Sequence, residues 1–387
     1  MRRKLFLYTL VLIVVLGVGS SATQMAERTV AMQGNLLVQT GSADFAAGTT
    51  DGTAVLRDEA GPLRLAIRSG KYLTRGTYVS PVIQTAPFRD LIISWNADTP
   101  AGTTISVEAQ VLVEQKWSEW FSWGTWGDRS ASAATVVSRM AKMDIDTLSL
   151  QGEKKATAVR YRVNLMSRDP KVTPTVRLVA LTIRDQGKIQ RVPLQAETAG
   201  NGWERNLPVP AYSQGRRDPK IASRICSPTS VSMVLNYHGV VVSPEEAAWG
   251  SYDHKGDLFG NWSFNAAFAG KRGLTSYVAF MNSITDLKQE IAQGYPVVAA
   301  VNYRNSETVK EALPVLHGAP VEATDGHLVV VRGFKVKDGK EYVLVNDPAG
   351  PDDAGVYREY LATEFEAAWA KVAYIIRPGA DAVSGKK

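Results

Sequence analysis

Apolar positions between residues 55 and 185 fall in short runs: Leu63–Ile67, Tyr78–Ile83, Leu91–Trp95, Ile105–Val113, Ala158–Leu165 and Val176–Ile183. Ser106, Glu108 and Gln110 alternate with Val107, Ala109 and Val111, the two-residue period of a strand with one buried face. Pro81, Pro87, Pro100, Pro170 and Pro174 punctuate these runs, and no long amphipathic helix intervenes. The spacing predicts an all-β sandwich, jelly-roll-like in organisation. Beyond residue 225 the period changes. Val231, Val234, Leu235 and His238 recur at helical spacing, Pro228 suits a first turn, and Gly239 reads as the stop. Helices are also expected from Pro244, over Ser263–Gly270 and over Ile284–Gln293. Strand-like runs follow at Val297–Tyr303, Leu328–Phe334, Tyr342–Asn346 and Val372–Arg377, with Asp338-Gly339 as a hairpin turn. Helices first and an antiparallel sheet afterwards describe an α+β domain.

A chain of 387 residues has room for two such domains, each with its own core. At the start, Met1-Arg2-Arg3-Lys4 precedes an apolar-dominated run from Leu5 to Val18 and then Gly19-Ser20-Ser21-Ala22. That is the charged, hydrophobic and small-residue order of a secretory signal. The run is shorter than the roughly 20 residues that span a bilayer, which favours cleavage over a retained anchor. The formal charge is +6, from 44 basic and 38 acidic residues. Loss of residues 1–22 removes three basic residues, and the remaining +3 argues for no nucleic-acid partner. The expected plan is a signal peptide over 1–22, a leader over 23–50, a β-sandwich over 51–185, a linker over 186–207 and an α+β domain over 208–380. The product is expected outside the cell or at its envelope.

Cys226 is the single cysteine, so it has no disulfide partner within the chain. In an exported protein such a residue is either core filler or kept for its reactivity. A thiol at a helix start meets unpaired N–H groups and the positive end of the macrodipole, both of which favour the thiolate. A thiol nucleophile further needs a base, and a group that orients the base. Of four histidines, His238 lies twelve residues along the same helix, about 18 Å away, and is out of reach. His254 and His317 sit in loop-like surroundings and stay open as alternatives. His327 stands at the mouth of the apolar strand Leu328–Val331. Asp347 ends the neighbouring strand just before Pro348, where a carboxylate can receive an imidazole N–H. A strict two-residue turn at Asp338-Gly339 would pair Asp347 with Val330, so a bulge, a longer turn or a bend at Pro348 is required. Acyl transfer also needs oxyanion donors. The Cys226 N–H is one, and Gln214 offers a side-chain amide, though it reads equally as an exposed loop residue. No residues show metal-ligand spacing, and no cofactor is called for.

In the first half, Trp117, Trp120, Trp123 and Trp126 recur every third residue. That period fits neither a strand face nor a helix face, so the rings are expected to point in several directions. They read as core and rim packing, or as a stacking platform for sugar rings or another flat ligand.

The second domain resembles the papain-fold cysteine peptidases related to the bacteriocin-processing, double-glycine-leader peptidases, in particular their secreted bacterial branch. The likeness rests on Val209–Gln214, Cys226–Ser230, Gly260–Asn265, Gly294–Val297, Asp325–His327 with Arg332–Phe334, and Val345–Pro348, and covers about residues 205–380. It implies a papain-like α+β fold in which Cys226 is the nucleophile, His327 the base, Asp347 its orienter and Gln214 an oxyanion donor. Asn261 and Trp262, in the matched motif, are assigned to substrate contact, together with Trp120 and Trp123 of the first domain. Ser227 stands where leader-processing relatives have glycine, and Gln214 lies unusually far ahead of Cys226. Cleavage of double-glycine leaders is therefore not carried over. The expected function is a secreted thiol peptidase or amidase acting on a peptide or cell-envelope polymer. The alternative is a non-catalytic envelope- or carbohydrate-binding protein that uses the Trp117–Trp126 segment. The same triad also serves transfer or deamidation.

Overall fold

The computed structural model describes residues 28–57, 61–185, 203–305 and 313–379. The signal-like stretch 1–22 and most of the expected linker lie outside them. The first domain consists of two eight-stranded sheets around a common core. Thr103–Val113 pairs with Ala156–Ser167 in one sheet, and Asp90–Asp98 pairs with Thr175–Arg184 in the other, both antiparallel. Val107, Ala109 and Val111 are fully buried while Ser106 and Glu108 remain partly exposed, as alternation requires. Asp90–Asp98 shows no such alternation, because Asp90 through Ala97 are all buried. Both faces of that strand are covered, one by its own sandwich and one by the second domain.

Within the leader expected over residues 23–50, the described residues 28–50 are part of the sandwich. Thr29–Ala31 pairs in parallel with Val82–Gln84, Leu36–Gln39 pairs with Val179–Thr182, and Phe45 is fully buried. Strands of three or four residues are too short to display a period, which is why this stretch reads as featureless. Trp123 and Trp126 both face the core although they are three residues apart. A bulge absorbs the odd residue: Thr125 sits opposite Ser106, while Ser122 sits opposite Glu108. Gly124, at φ +96, makes the bulge possible, and a Cβ there would collide with the Ala131 carbonyl.

The second domain is built on a six-stranded antiparallel sheet in the order Leu274–Phe280, Trp369–Pro378, Val297–Arg304, Ala323–Lys337, Lys340–Asn346 and Tyr357–Leu361. The Cys226–Tyr237 helix lies against Ala323–Lys337, and Ser230 Oγ donates to Leu328 O at 2.9 Å. Its limits follow the pattern of the sequence: Cys226 opens it, and Gly239 at φ +81 follows its cap. Trp203–Leu207, expected as linker, belongs to this domain. Asn206 bridges Gly333, and Trp203 is buried with the Lys288 ammonium 4.1 Å from its ring centre.

The two domains share one hydrophobic core. Leu274–Phe280 is the sheet edge at their junction, and side chains of the sandwich satisfy its backbone. The N–H groups of Ser276, Val278 and Phe280 donate to Asn96 Oδ1 (3.0 Å), Ser94 Oγ (3.0 Å) and Thr182 Oγ1 (2.8 Å). Asn96 and Asn35 donate in return to the carbonyls of Ser276 and Phe280. An open edge is thereby closed without another strand. The Trp262–Lys271 helix completes the junction, with Phe264 packed against Trp95 and Trp126.

Candidate active site

Cys226 occupies the first position of its helix and is half-buried. First-turn N–H groups have no partner within a helix, and the thiol sits among such donors. The backbone N–H groups of Ser227 and, across the cleft, of Leu328 favour its ionised form. His327 directly precedes Leu328, and its ring stands close enough to the Cys226 thiol to shift the ionisation of both groups. On its other side His327 Nε2 lies 2.7 Å from Asp347 Oδ1, which leaves Nδ1 for the thiol. Asp347 is fully buried and also accepts from the Tyr360 hydroxyl at 2.8 Å and the Ala349 N–H at 3.0 Å.

The meeting of His327 and Asp347 depends on a bulge at Arg332. From the turn, Lys337 pairs with Lys340 and Gly333 with Leu344; beyond the bulge Val331 pairs with Val345 and Val330 with Asn346. Continuing that register sets Asp347 opposite Val329, on the same face as His327. Were Arg332 paired instead of bulged out, Asp347 would oppose Val330 and point to the other side, since a one-residue slip inverts every side chain. The bulge is pinned by the incoming chain: Leu207 N–H donates to Arg332 O and Phe334 N–H to Arg205 O, at 2.8 and 2.9 Å. Backbone approaches so closely there that a Cβ on Gly333 would overlap the Arg205 carbonyl.

Electrostatics link the three side chains. For Cys226, burial opposes the thiolate, yet the His327 hydrogen bond and charge and the two N–H donors outweigh it and hold the thiol below its ordinary 9.0. For His327, burial disfavours the imidazolium, but the Asp347 carboxylate and the Cys226 sulfur raise its pKa above the ordinary 6.5. Burial likewise opposes ionisation of Asp347, and the His327 charge with the Tyr360 and Ala349 donors reverses it, so its pKa is lowered. The arrangement favours a thiolate–imidazolium pair.

Other expected residues fall elsewhere. Gln214 Nε2 donates to Ala222 O at 2.9 Å, on the turn leading into Cys226, and its backbone N–H donates to Pro348 O at 2.8 Å. Gln214 therefore braces the loops on both sides of the cysteine, with one amide hydrogen already engaged. Asn261 is not available to a substrate. It is fully buried as a helix cap, accepting from Phe264 N–H at 3.1 Å and donating to Asp253 at 3.1 Å. Trp123 is also corrected: it is a core residue whose Nε1 donates to Asp146 O at 2.8 Å. Trp120 is partly exposed, but the Arg162 guanidinium covers its ring at 4.3 Å. Trp262 is half-buried and lines a cavity at the domain junction. The remaining histidines lie outside the triad: His238 faces Ile376 O at 3.1 Å, His254 is exposed beside Tyr252, and His317 pairs with Glu364 at 2.8 Å.

Two contributors, Tyr360 and Asn346, were not singled out from the sequence, and a third, Ser227, was noted there only as a departure from leader-processing relatives. Tyr360 supports Asp347, and only its place in a short strand hinted at burial. Ser227 is fully buried, with its hydroxyl 2.9 Å from Tyr374 OH, so serine at this position is held by a partner on the sheet. Asn346 ties the Gln214-bearing segment to the site, with Nδ2 on Val209 O and Pro210 O at 3.2 and 3.0 Å.

Residues 206–375 match the model of the Peptidase_C39 like family. The second domain is similar to that family of cysteine peptidases. Residues 36–183 match a Peptidase C39 N-terminal domain, so the sandwich too has relatives attached to C39 domains. No curated protein matches the chain. Among solved structures, a double glycine motif protease from an AMS/PCAT transporter, in complex with its leader peptide, is 20% identical over 45% of this chain and 94% of its own, with a TM-score of 0.27. A C39-like peptidase from Bacillus anthracis is 18% identical over 45% of this chain and 100% of its own (TM-score 0.33). Procathepsin B from Trypanosoma congolense is 15% identical over 50% and 85% (TM-score 0.33). In the C39-like domain described here, the cysteine-bearing helix and the histidine-bearing sheet meet as in a papain-like fold.

Proposed function

We propose that this chain is an exported cysteine peptidase or amidase that cleaves a peptide or related amide bond through an acyl-enzyme on Cys226, with the jelly-roll-like sandwich as its accessory domain. The observation that carries the reading is the continuous chain of contacts from the lowered-pKa thiol of Cys226, through His327, to the buried Asp347. Cys226 Sγ attacks the carbonyl carbon. The developing oxyanion is met by the Cys226 N–H and the second amide hydrogen of Gln214. The His327 imidazolium gives its proton to the leaving amine, and then as neutral base takes one from the water that releases the acid. Asp347 holds the ring in orientation and stabilises its charge in both halves. The signal-like Met1–Ala22 stretch supports the export part of this reading.

The test combines a thiol probe with turnover. Iodoacetamide is expected to label Cys226 of the mature protein rapidly at neutral pH. A peptide library is expected to yield cleavage products that are absent with Cys226→Ala. Labelling as slow as that of an ordinary buried thiol would sink the proposal.

A further inference from the structure

Ala141–Asp144 and Thr147–Leu150 of the sandwich form a hairpin in which Asp144 pairs with Thr147, so Ile145 and Asp146 make a two-residue turn. Ile145 has φ +55 and Asp146 does not share that region, the pattern of a turn whose first central residue is ordinarily glycine. A β-branched residue there is an outlier. The side chain is also 37% exposed. Strained backbone and wetted apolar surface at one residue both act against stability, and such residues gather at functional sites.

Across the domain junction this tip faces Arg224 and the Leu258–Trp262 segment over a cavity of ≈ 580 Å³, a size that accepts ligand side chains. Ile145, Leu258, Phe259 and Trp262 provide its apolar lining. Its cations are already paired, Lys142 with Asp144 at 2.5 Å and Arg224 with Asp257 at 3.2 Å. Charge therefore does not define the ligand; apolar volume does. Arg224 stands two residues before Cys226, so their Cα atoms are no more than about 7 Å apart. The tip is fixed from both domains, since Asp146 Oδ2 accepts from Trp262 N–H at 2.7 Å and Asp146 O from Trp123 Nε1 at 2.8 Å.

We infer that this hairpin of the first domain is a wall of the substrate cleft, selecting peptides with a large apolar side chain within a few residues of the scissile bond. The inference rests on the peptidase reading of Cys226 and adds a specificity-determining residue, Ile145, from outside the C39-like domain. It is tested on the full mature chain with thiol-directed peptidyl ketone probes. These carry phenylalanine or alanine at each of the three residues nearest the reactive group, and the rate of Cys226 modification is followed by intact mass. Ile145→Gly relieves the turn, and Ile145→Asn keeps a residue tolerant of positive φ; both remove the apolar tip. Wild type is expected to prefer the phenylalanine probe at one of these positions, and both variants to lose about 10-fold of that preference. Their iodoacetamide rates should be unchanged and their thermal midpoints equal or higher. Absence of a preference in wild type, or its survival in both variants, overturns the inference. If the probes discriminate as expected while no peptide is hydrolysed, the hydrolase proposal fails and the cleft wall stands.

Discussion

Asp347 and Asp146 are carboxylates buried to a similar degree, 0% and 8% exposed, on opposite sides of the domain junction. Burial pushes both toward the neutral acid, yet they end in different states. Asp347 meets a histidine, a tyrosine hydroxyl and a backbone N–H, and its pKa falls. Asp146 receives the Trp262 N–H and the Thr147 hydroxyl but has no cation beside it, and burial prevails, raising its pKa to about 6. The two donors on Asp146 do not offset its burial, whereas on Asp347 the imidazolium adds to two donors and does. Asp347 is fitted to sustain an imidazolium, while Asp146 is fitted to clamp backbone.

The harshest way to break this contrast is Asp347→Ala. It strands the His327 Nε2 proton and the Tyr360 hydroxyl in the interior. We expect kcat/KM for the best library peptide to fall about 10²–10⁴-fold, and about 3–5 kcal/mol of stability to be lost in denaturant titrations. Asp347→Asn is milder in packing and isolates the charge. Wild-type Cys226 should react with iodoacetamide with a midpoint below the ordinary 9.0, and Asp347→Asn should move that midpoint upward. A flat response would detach the carboxylate from the thiol.

Asp146→Asn probes the other side. The folded protein holds the Asp146 proton up to about pH 6, against an ordinary 3.8. Its contribution to stability is thus fully present below about pH 4 and disappears as pH rises through 6, a change of up to about 3 kcal/mol. Asp347 has the opposite slope, contributing above the ordinary carboxylate range and losing its effect on acidification. Relative to wild type, Asp146→Asn should therefore gain thermal midpoint between pH 4 and 7, because the amide still accepts from Trp262 but cannot ionise. The smallest effect is expected of Tyr360→Phe. Loss of one hydrogen bond to Asp347 should cost about 1 kcal/mol, read as a few-fold fall in kcat/KM with KM nearly unchanged.

Local features of the site were legible in the sequence. The helix starting at Cys226, its glycine stop and the strand behind His327 all follow from apolar period and capping chemistry. Features that depend on distant partners were not. Asn261 looked like a ligand contact beside a tryptophan, but a polar residue before an apolar helical run is a cap, and Asp253 completes its burial. The uninterrupted burial of Asp90–Ala97 reflects the second domain lying on that strand, information held some 180 residues away in Ser276 and Val278. Ile145 carried no signal at all, because positive φ at a β-branched residue is invisible until the turn is built.

The bulges at Gly124 and Arg332 leave one common mark: buried neighbours three residues apart, Trp123 with Trp126 and Val331 with Phe334. Each works on a strand as a single inserted letter works on a reading frame. Arg332 is accordingly where this chain can change length harmlessly to the triad, since its deletion would leave Val331 facing Val345. Dropping one residue between Gly333 and the Asp338-Gly339 turn would instead put Asp347 out of frame, facing away from His327, with every residue of the triad still present.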